Sequence, residues 1–219
     1  MDEVLVSLDN VSRRYADGQR QLAALTDISC QVLANTQVAL VGRSGSGKST
    51  LLQLMAGLDK PTSGGVSWPA LGSETELRPD QICVVFQTPS LLPTLTVLEN
   101  VELSWLLSKK GPAEARAASL KALEKLGLSA IADKLPGELS GGQMQRVAVA
   151  RAIVCRPRLI LADEPTGQLD SVTASKLIQV LIESTSHPGA ALVVATHDTT
   201  VAVRMQTQWS IAHGKLAQR

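Results

Sequence analysis

The sequence predicts an α/β fold: a mostly parallel sheet, an N-terminal antiparallel β subdomain, and a helical subdomain inserted into the sheet. Three observations carry this. Short, strongly apolar runs recur along the chain, in TQVALVG, QICVVF, RLILAD and ALVVAT. Such runs lie in parallel sheets covered on both faces. The N-terminal segments VLVSLDNV and LTDISCQV instead alternate, as antiparallel or edge strands do. The stretch from Thr88 to Arg156 is almost purely helical in pattern and lies between apolar strands. The 219 residues suit one domain, with a core of 1–87 and 157–219 and a helical subdomain of 88–156. Hydrophobic content of 44% is ample for a core, and 2% aromatics means that core is Leu, Val, Ile and Ala.

Element by element, VLVSLDNV is an antiparallel strand and RRYADGQRQ a polar turn. LTDISCQV is the next strand, and ANTQ a turn in which Asn35 can take φ > 0. TQVALVG is a buried strand ending at Gly42. GRSGSGKSTLLQLMAGL runs from a loop into a helix, and KPTSGG is a turn. From Ser67 to Pro79, Pro and Gly break any period and no element is read. QICVVF is a buried strand. TPSLLPTLTVLENVELSWLL gives turns and then a helix. GPAEARAASLKALEKLGL is an amphipathic helix, with Pro112 near its first turn and Gly127 as its stop. QMQRVAVARAIV is a further helix, RLILAD and ALVVAT are parallel strands, TTVAVRMQ is a final helix, and a last strand lies around WSIAH.

Composition excludes several classes. A net charge of +1 and a pI near 7.7 give no basic excess for binding nucleic acid. Cys30, Cys83 and Cys155 show no CxxC spacing and read as buried thiols in a reducing compartment. MDEVLVSLDN is not a signal peptide, and no apolar run approaches the ~20 residues that cross a bilayer. The expected location is cytoplasmic.

GRSGSGKS, residues 42–49, matches GxxxxGK[ST] after a strand and before a helix. Its glycines let successive backbone N–H groups face an anion, and the helix N-terminus adds partial positive charge. Gly42, Arg43, Ser44, Gly45, Ser46, Gly47, Lys48, Ser49 and Thr50 therefore form a candidate phosphate loop, the mark of a P-loop NTPase core. Lys48 is placed to reach the β and γ phosphates, and Ser49 to ligate Mg²⁺. RLILADEP brings Asp163 and Glu164 to a strand's C-terminal end, where α/β sheets bind ligands. Asp163 suits the metal, and Glu164 suits a proton acceptor for attacking water. The competing reading of DEP is an acidic helix start; paired with the loop, the catalytic reading wins. His197, just past ALVVAT, is placed to contact a γ-phosphate. His187 and His213 are assigned nothing. Gln87 follows QICVVF, where an amide can reach Mg²⁺ or attacking water. Tyr15, the single tyrosine, reads either as an exposed turn aromatic or as a ring for adenine. Finally, in ELSGGQMQR, Ser140 is a good N-cap, and Gly141, Gly142 and Gln143 leave amides open at a helix start.

The fixed order of Tyr15, GRSGSGKS, Gln87, LSGGQ, LILADE, Asp170 and His197 resembles the ATP-binding subunit of an ABC transporter over nearly the whole chain. The resemblance implies an adenine-stacking Tyr15, a Q-loop Gln87, a metal-site Asp163, a catalytic Glu164, a D-loop Asp170 and a switch His197. It implies ATP and Mg²⁺ as ligands. It also implies a head-to-tail dimer in which each ATP, bound on one chain's phosphate loop, is covered by the LSGGQ of a second copy or a paralogous subunit. The motion would pass through the helical subdomain to a separate integral membrane permease, placing the chain at the cytoplasmic face of the inner membrane. GLDKPTSG and DEPTGQLD look like the lipoprotein-releasing, macrolide-export and cell-division branch. The alternative is an ATP-driven switch that regulates an extracytoplasmic enzyme through a membrane partner. The sequence departs from the family pattern at Asn35, Met144, Gln168 and His213, and the stretch from Gly65 to Phe86 is short for it.

Overall fold

The computed structural model describes residues 3–17, 20–77, 80–108 and 110–218. Strands β1 (Val4–Asp17) and β2 (Arg20–Leu33) form a long antiparallel pair. After β3 (Gln37–Val41) and helix α1 (Lys48–Met55), β4 (Ser63–Ser67) returns to pair with β1, giving a three-stranded sheet of order β2-β1-β4. Asn10 and Asp27 take φ of 46° and 50° where the β1–β2 register shifts, so the long pair is bulged rather than flat. Gly64 allows β4 to meet that bulge: a Cβ there would stand 2.3 Å from the Asn10 carbonyl oxygen.

The second sheet contains β5 (Ile82–Val85), β6 (Leu159–Asp163), β7 (Ala191–Thr196), β8 (Thr207–Ala212) and β9 (Lys215–Gln218) beside β3. Its order is β5-β6-β7-β3-β8-β9, parallel except for β9. The pleat divides the core in two. Val38, Leu40, Leu159, Leu161, Val193 and Ala195 face α1 and the antiparallel sheet. Their neighbours Ala39, Ile160, Ala162, Leu192 and Val194 join the cluster of the helices on the other face. Those helices are α2 (Val97–Leu106), α3 (Ala115–Lys125) and α4 (Gly141–Ile153), between β5 and β6, and α5 (Ser171–Ser184). α2 starts on a capping box formed by Thr96 and Glu99. Pro112 lies in a short 3₁₀ turn before α3, and Gly127 takes φ of 66° just beyond it. The lobe is therefore not a separate ball: its apolar faces continue the cluster over the sheet.

The α/β class is as the sequence predicts, and five local readings change. KPTSGG is not all turn: Ser63, Gly64 and Gly65 open β4, because their backbone pairs with the exposed edge of β1. RRYADGQRQ is not simply a turn: Arg13–Asp17 continue β1 and Arg20 and Gln21 begin β2, while Gly18 and Gln19 lie outside the described residues. No core lies beneath that end of the hairpin (Leu22 is 62% exposed), so the apolar alternation stops while the backbone ladder continues. The final helix, α6, is only Thr199–Ala202. The amides of Arg204 and Met205 bond three residues back, tightening the chain into turns before β8. The last strand is followed by β9, joined through His213 and Gly214 at φ of 50° and 71°. Among its described residues, the unassigned stretch holds the last residue of β4, Ser67, and one 3₁₀ turn, Glu74–Glu76. All three cysteines are buried, and burial pushes the Cys30 and Cys83 thiols up to about 12.

Candidate nucleotide site

The parallel strands end on one edge, and the candidate residues collect there. Beyond β3, Gly42–Gly47 form a loop that runs into α1, whose N-terminus has no side-chain cap. Gly45 and Gly47 take φ of 75° and 108°, a region costly for other residues. The loop is pressed onto its surroundings. A Cβ on Gly42 would stand 2.5 Å from the Ile211 carbonyl oxygen, and one on Gly47 would stand 2.7 Å from that of Ala24. The Gly214 amide donates to Ser46 O at 3.1 Å, and Gly214 O accepts from Thr26 N at 2.8 Å. The β8–β9 turn and β2 thus brace the loop from behind. Ser46 is buried in that bracing layer, and its hydroxyl has no hydrogen-bond partner. Lys48 is 7% exposed, and its Nζ donates to Gly42 O (2.8 Å) and Arg43 O (3.2 Å).

β6 delivers the two carboxylates. Glu164 Oε1 stands 3.3 Å from Lys48 Nζ, and Glu164 Oε2 lies 3.0 Å from His197 Nδ1. Glu164 is nine-tenths buried and has φ of 46°, a conformation that costs a non-glycine residue about 1–3 kcal/mol and that collects at functional sites. Its amide is tied to Ala195 O at 2.9 Å, so the backbone there is determined by β7. Asp163, 8% exposed, has its carboxyl pushed up by burial and by the Glu164 charge, against a hydrogen bond from Ser49 and the charge of Lys48. Its Oδ1 is buried with no partner. His197 follows β7 with an exposed ring.

One cavity of about 570 Å³ gathers Tyr15, Arg43, Ser44, Gly45, Gly47, Lys48, Ser49, Thr50, Gln87, Asp163, Glu164 and His197. Tyr15 stands on β1, and its hydroxyl donates to Asp59 Oδ2 at 2.7 Å. Arg13 reaches the same carboxylate with Nε (2.8 Å) and Nη2 (2.8 Å), and its guanidinium lies 4.4 Å from the Tyr15 ring centroid. Leu22, Ala23 and Ala24 of β2 complete the wall beside Tyr15. Arg13, Asp59, the β2 wall and the β8–β9 brace are all absent from the sequence reading. They carry no motif, and only the strand pairing and the chain returns make them neighbours.

Ser140, Gly141, Gly142 and Gln143 are not walls of this cavity. They open α4: Ser140 Oγ accepts from the Gln143 amide (3.2 Å), and Gln143 Oε1 accepts from the Ser140 amide (2.8 Å). Asp170 also lies outside the cavity. It caps α5, accepting from the amides of Val172 and Thr173 and from the Thr173 hydroxyl. Within one chain, then, the signature and Asp170 stand apart from the phosphate loop, while Gln87, Asp163, Glu164 and His197 stand with it.

The family model described as ABC transporter matches residues 25–167. The chain is similar to the solved ATP-binding cassette MJ0796, in a dimeric post-hydrolysis state bound to ADP and Pi: 37% identity, 98% of each chain covered, TM-score 0.87. A second dimeric structure of MJ0796, described as a bacterial ABC transporter cassette, gives 37% identity, 98% of each chain and a TM-score of 0.88. CbiO1 from Clostridium perfringens, part of the ABC transporter complex CbiONQ, is 29% identical over 99% of this chain and 88% of its own, with a TM-score of 0.81. The chain belongs to the ABC transporter family, as an ATP-hydrolysing nucleotide-binding subunit.

Proposed function

We propose that this chain is half of a machine that ATP closes and hydrolysis opens. The observation that carries the reading is the separation of the two glycine turns: the phosphate loop shares a cavity with Lys48, Glu164 and Gln87, and the signature turn lies outside it. A second copy, turned head to tail, would bring its Ser140, Gly141, Gly142 and Gln143 onto this cavity and would bring Asp170 to the interface. The dimeric cassettes to which the chain is 37% identical support that pairing.

In this reading Tyr15 stacks the adenine, the amides of 42–50 cradle the phosphates, and Lys48 leaves the loop carbonyls for the β and γ oxygens. Glu164 accepts the proton of the attacking water. His197 holds Glu164 by one ring nitrogen and senses the γ-phosphate. Mg²⁺ fits beside Ser49 and Asp163, because the unpartnered Asp163 Oδ1 is an acceptor without a donor. When bound, it would neutralise charge on the β and γ oxygens. Gln87 completes that end of the site.

The lobe would carry the motion outward. Gln145 Nε2 donates to Phe86 O (3.4 Å) and Arg151 Nη1 to Ser90 O (2.7 Å), so α4 clasps the segment on both sides of Gln87. A groove of about 190 Å³ lined by Leu58, Val84, Phe86, Ser104 and Arg151 adjoins that segment and would seat the permease. No described helix is long and apolar enough to cross a membrane, so the reading assigns the spanning to a separate integral membrane permease and places this chain at the cytoplasmic face of the inner membrane. The export or lipoprotein-releasing branch is the preferred partner type. The near-neutral charge supports no nucleic-acid role.

The test is Glu164→Gln. ATP binding should persist, turnover should fall by at least ~100-fold, and light scattering should show an ATP-dependent dimer. Near-normal hydrolysis, or a monomer saturated with ATP, would overturn the reading.

A further inference from the structure

We propose that the cavity where α3, α4 and α5 meet is an effector site for a small phosphate monoester, which on binding ties the helical lobe to the core. Its effect on turnover rests on the reading above, in which the lobe carries the motion; the binding itself does not. The cavity measures about 330 Å³, within the range of small-ligand pockets, and shares no wall residue with the nucleotide cavity. Glu124 and Lys125 of α3 line it with Leu126, Arg146 lines it from α4, and Lys176, Leu177 and Val180 line it from α5.

The charges on these walls are out of balance. Lys125, Arg146 and Lys176 stand against one carboxylate, that of Glu124. Among the described residues neither lysine is in an ion pair. Arg146 is partly buried and fixed on one side. Its Nε donates to Gly142 O at 3.4 Å and its Nη1 to Leu126 O at 3.1 Å. Those carbonyls set the plane of the guanidinium and leave Nη2 without an acceptor among the described residues. A solvated surface cation turns freely, whereas an arginine held in this way has little rotamer freedom left to lose on meeting an oxyanion.

The excess sets the class of ligand. Three cations less one carboxylate leave two positive charges. A phosphate monoester carries close to two negative charges at one point and accepts the charge-assisted bonds that guanidinium and ammonium groups donate. Leu126, Leu177 and Val180 offer its organic part an apolar wall. The consequence follows from where the cations stand. Lys125 and Arg146 belong to the lobe, and Lys176 belongs to the core. A phosphate bonded to all three spans the seam between them. It holds α4, the helix that opens on the signature turn, in one pose against α5. The ester therefore slows turnover without competing for the ATP site.

NMR of the ¹⁵N-labelled chain, saturated with ADP so that the phosphate loop is filled, tests the site. Phenyl phosphate should saturate it, with amide shifts centred on Lys125, Arg146 and Lys176. It should bind about tenfold tighter than benzenesulfonate, which has the same ring and one charge less. Lys125→Ala combined with Lys176→Ala should weaken phenyl phosphate by about tenfold or more with thermal stability unchanged, and Lys125→Arg with Lys176→Arg should retain it. Shifts centred on residues 42–50, equal affinity for the two anions, or undiminished binding by the double alanine variant would overturn the site. Saturating phenyl phosphate should then cut the ATPase of the parent by about threefold or more and leave that of the double alanine variant unchanged. An ATPase that ignores the filled site would overturn the clamp. A Glu164→Gln chain that never dimerises on ATP would instead sink the dimer reading and leave the binding result standing.

Discussion

The molecule contains two glycine turns at helix starts, and they are built on opposite plans. The phosphate loop is enclosed by its own chain: β2 and the β8–β9 turn behind it, and a nearly buried lysine and carboxylate across its mouth. The turn at Ser140 has a reciprocal side-chain cap, and it is not a wall of the cavity that holds Lys48 and the paired carboxylates. A self-contained anion site needs both amides and counter-charge. The first turn has both inside one cavity; beside the second, Arg146 is turned to the carbonyls of Gly142 and Leu126. In the dimer reading, that difference makes the unit of function larger than the chain, and it predicts that damage at the two turns will separate in experiment.

The largest effect is expected at the first turn. Lys48→Ala should cost roughly 2–3 kcal/mol of ATP affinity in the isolated chain, since a nearly buried cation contacting phosphate is lost. Isothermal titration with ATP measures it; affinity within about threefold of the parent would remove Lys48 from the phosphates. At the second turn, Ser140→Phe should leave that monomer affinity unchanged and cut hydrolysis by more than about tenfold. Ser140→Ala gives the comparison without added bulk: it removes the hydroxyl and with it the helix cap, worth about 1 kcal/mol. Loss of monomer binding in Ser140→Phe would make the two turns parts of one site and break the comparison.

The same contrast shows what could be read without coordinates. The phosphate loop, Asp163, Glu164, Gln87 and His197 are legible because each sits where an apolar strand ends, and a parallel sheet gathers strand ends on one edge. What holds them is not legible. The brace of Ile211 and Gly214 under the loop lies about 170 residues beyond it in the chain and has no motif. Tyr15 is readable as a ring, but the disappearance of alternation at the exposed hairpin end conceals that it stands on a strand, backed by Arg13. Gln168 is visible as a departure from the family pattern, yet only the fold-back after Glu164 brings its side chain near the start of α4.

Asp163 tests how completely the first turn is specialised for ligand at the expense of the ligand-free fold. Burial raises its pKa, so its contribution to stability is full below the unfolded value and is lost as pH rises through the folded one. Above the folded value the buried carboxylate is a liability that the cation would relieve. Asp163→Asn should therefore stabilise the ligand-free chain by about 1 kcal/mol and abolish the added stabilisation by magnesium with ATP. Thermal melts with and without magnesium and ATP read both. A destabilised ligand-free variant would show that the charge is already satisfied by Ser49 and Lys48.

The smallest effect lies at the adenine end, where the first turn borrows a platform from β1. Burial alone would raise the Asp59 pKa, but the Tyr15 hydroxyl, the Lys60 amide and the Arg13 guanidinium outweigh it and hold it below the usual value. The stabilisation from this group is then present above the unfolded value near 3.8 and is lost as pH falls through the folded one. With both side chains of the Arg13–Asp59 pair partly exposed, Asp59→Asn should cost only about 0.5–1 kcal/mol at neutral pH. The deficit should be constant above the unfolded value and close as pH falls through the folded one; a gap that persists once the carboxyl is protonated in both states would mean Asp59 acts by shape rather than charge. Its effect on nucleotide should be a few-fold loss of affinity, because the ring keeps its strand and loses only its hydroxyl anchor and the cation behind it. ATP and GTP should weaken alike, since Asp59 holds the platform and is not a wall of the cavity. A loss confined to ATP would place Asp59 on the base itself and make the adenine end, unlike the signature turn, a site with its own reader.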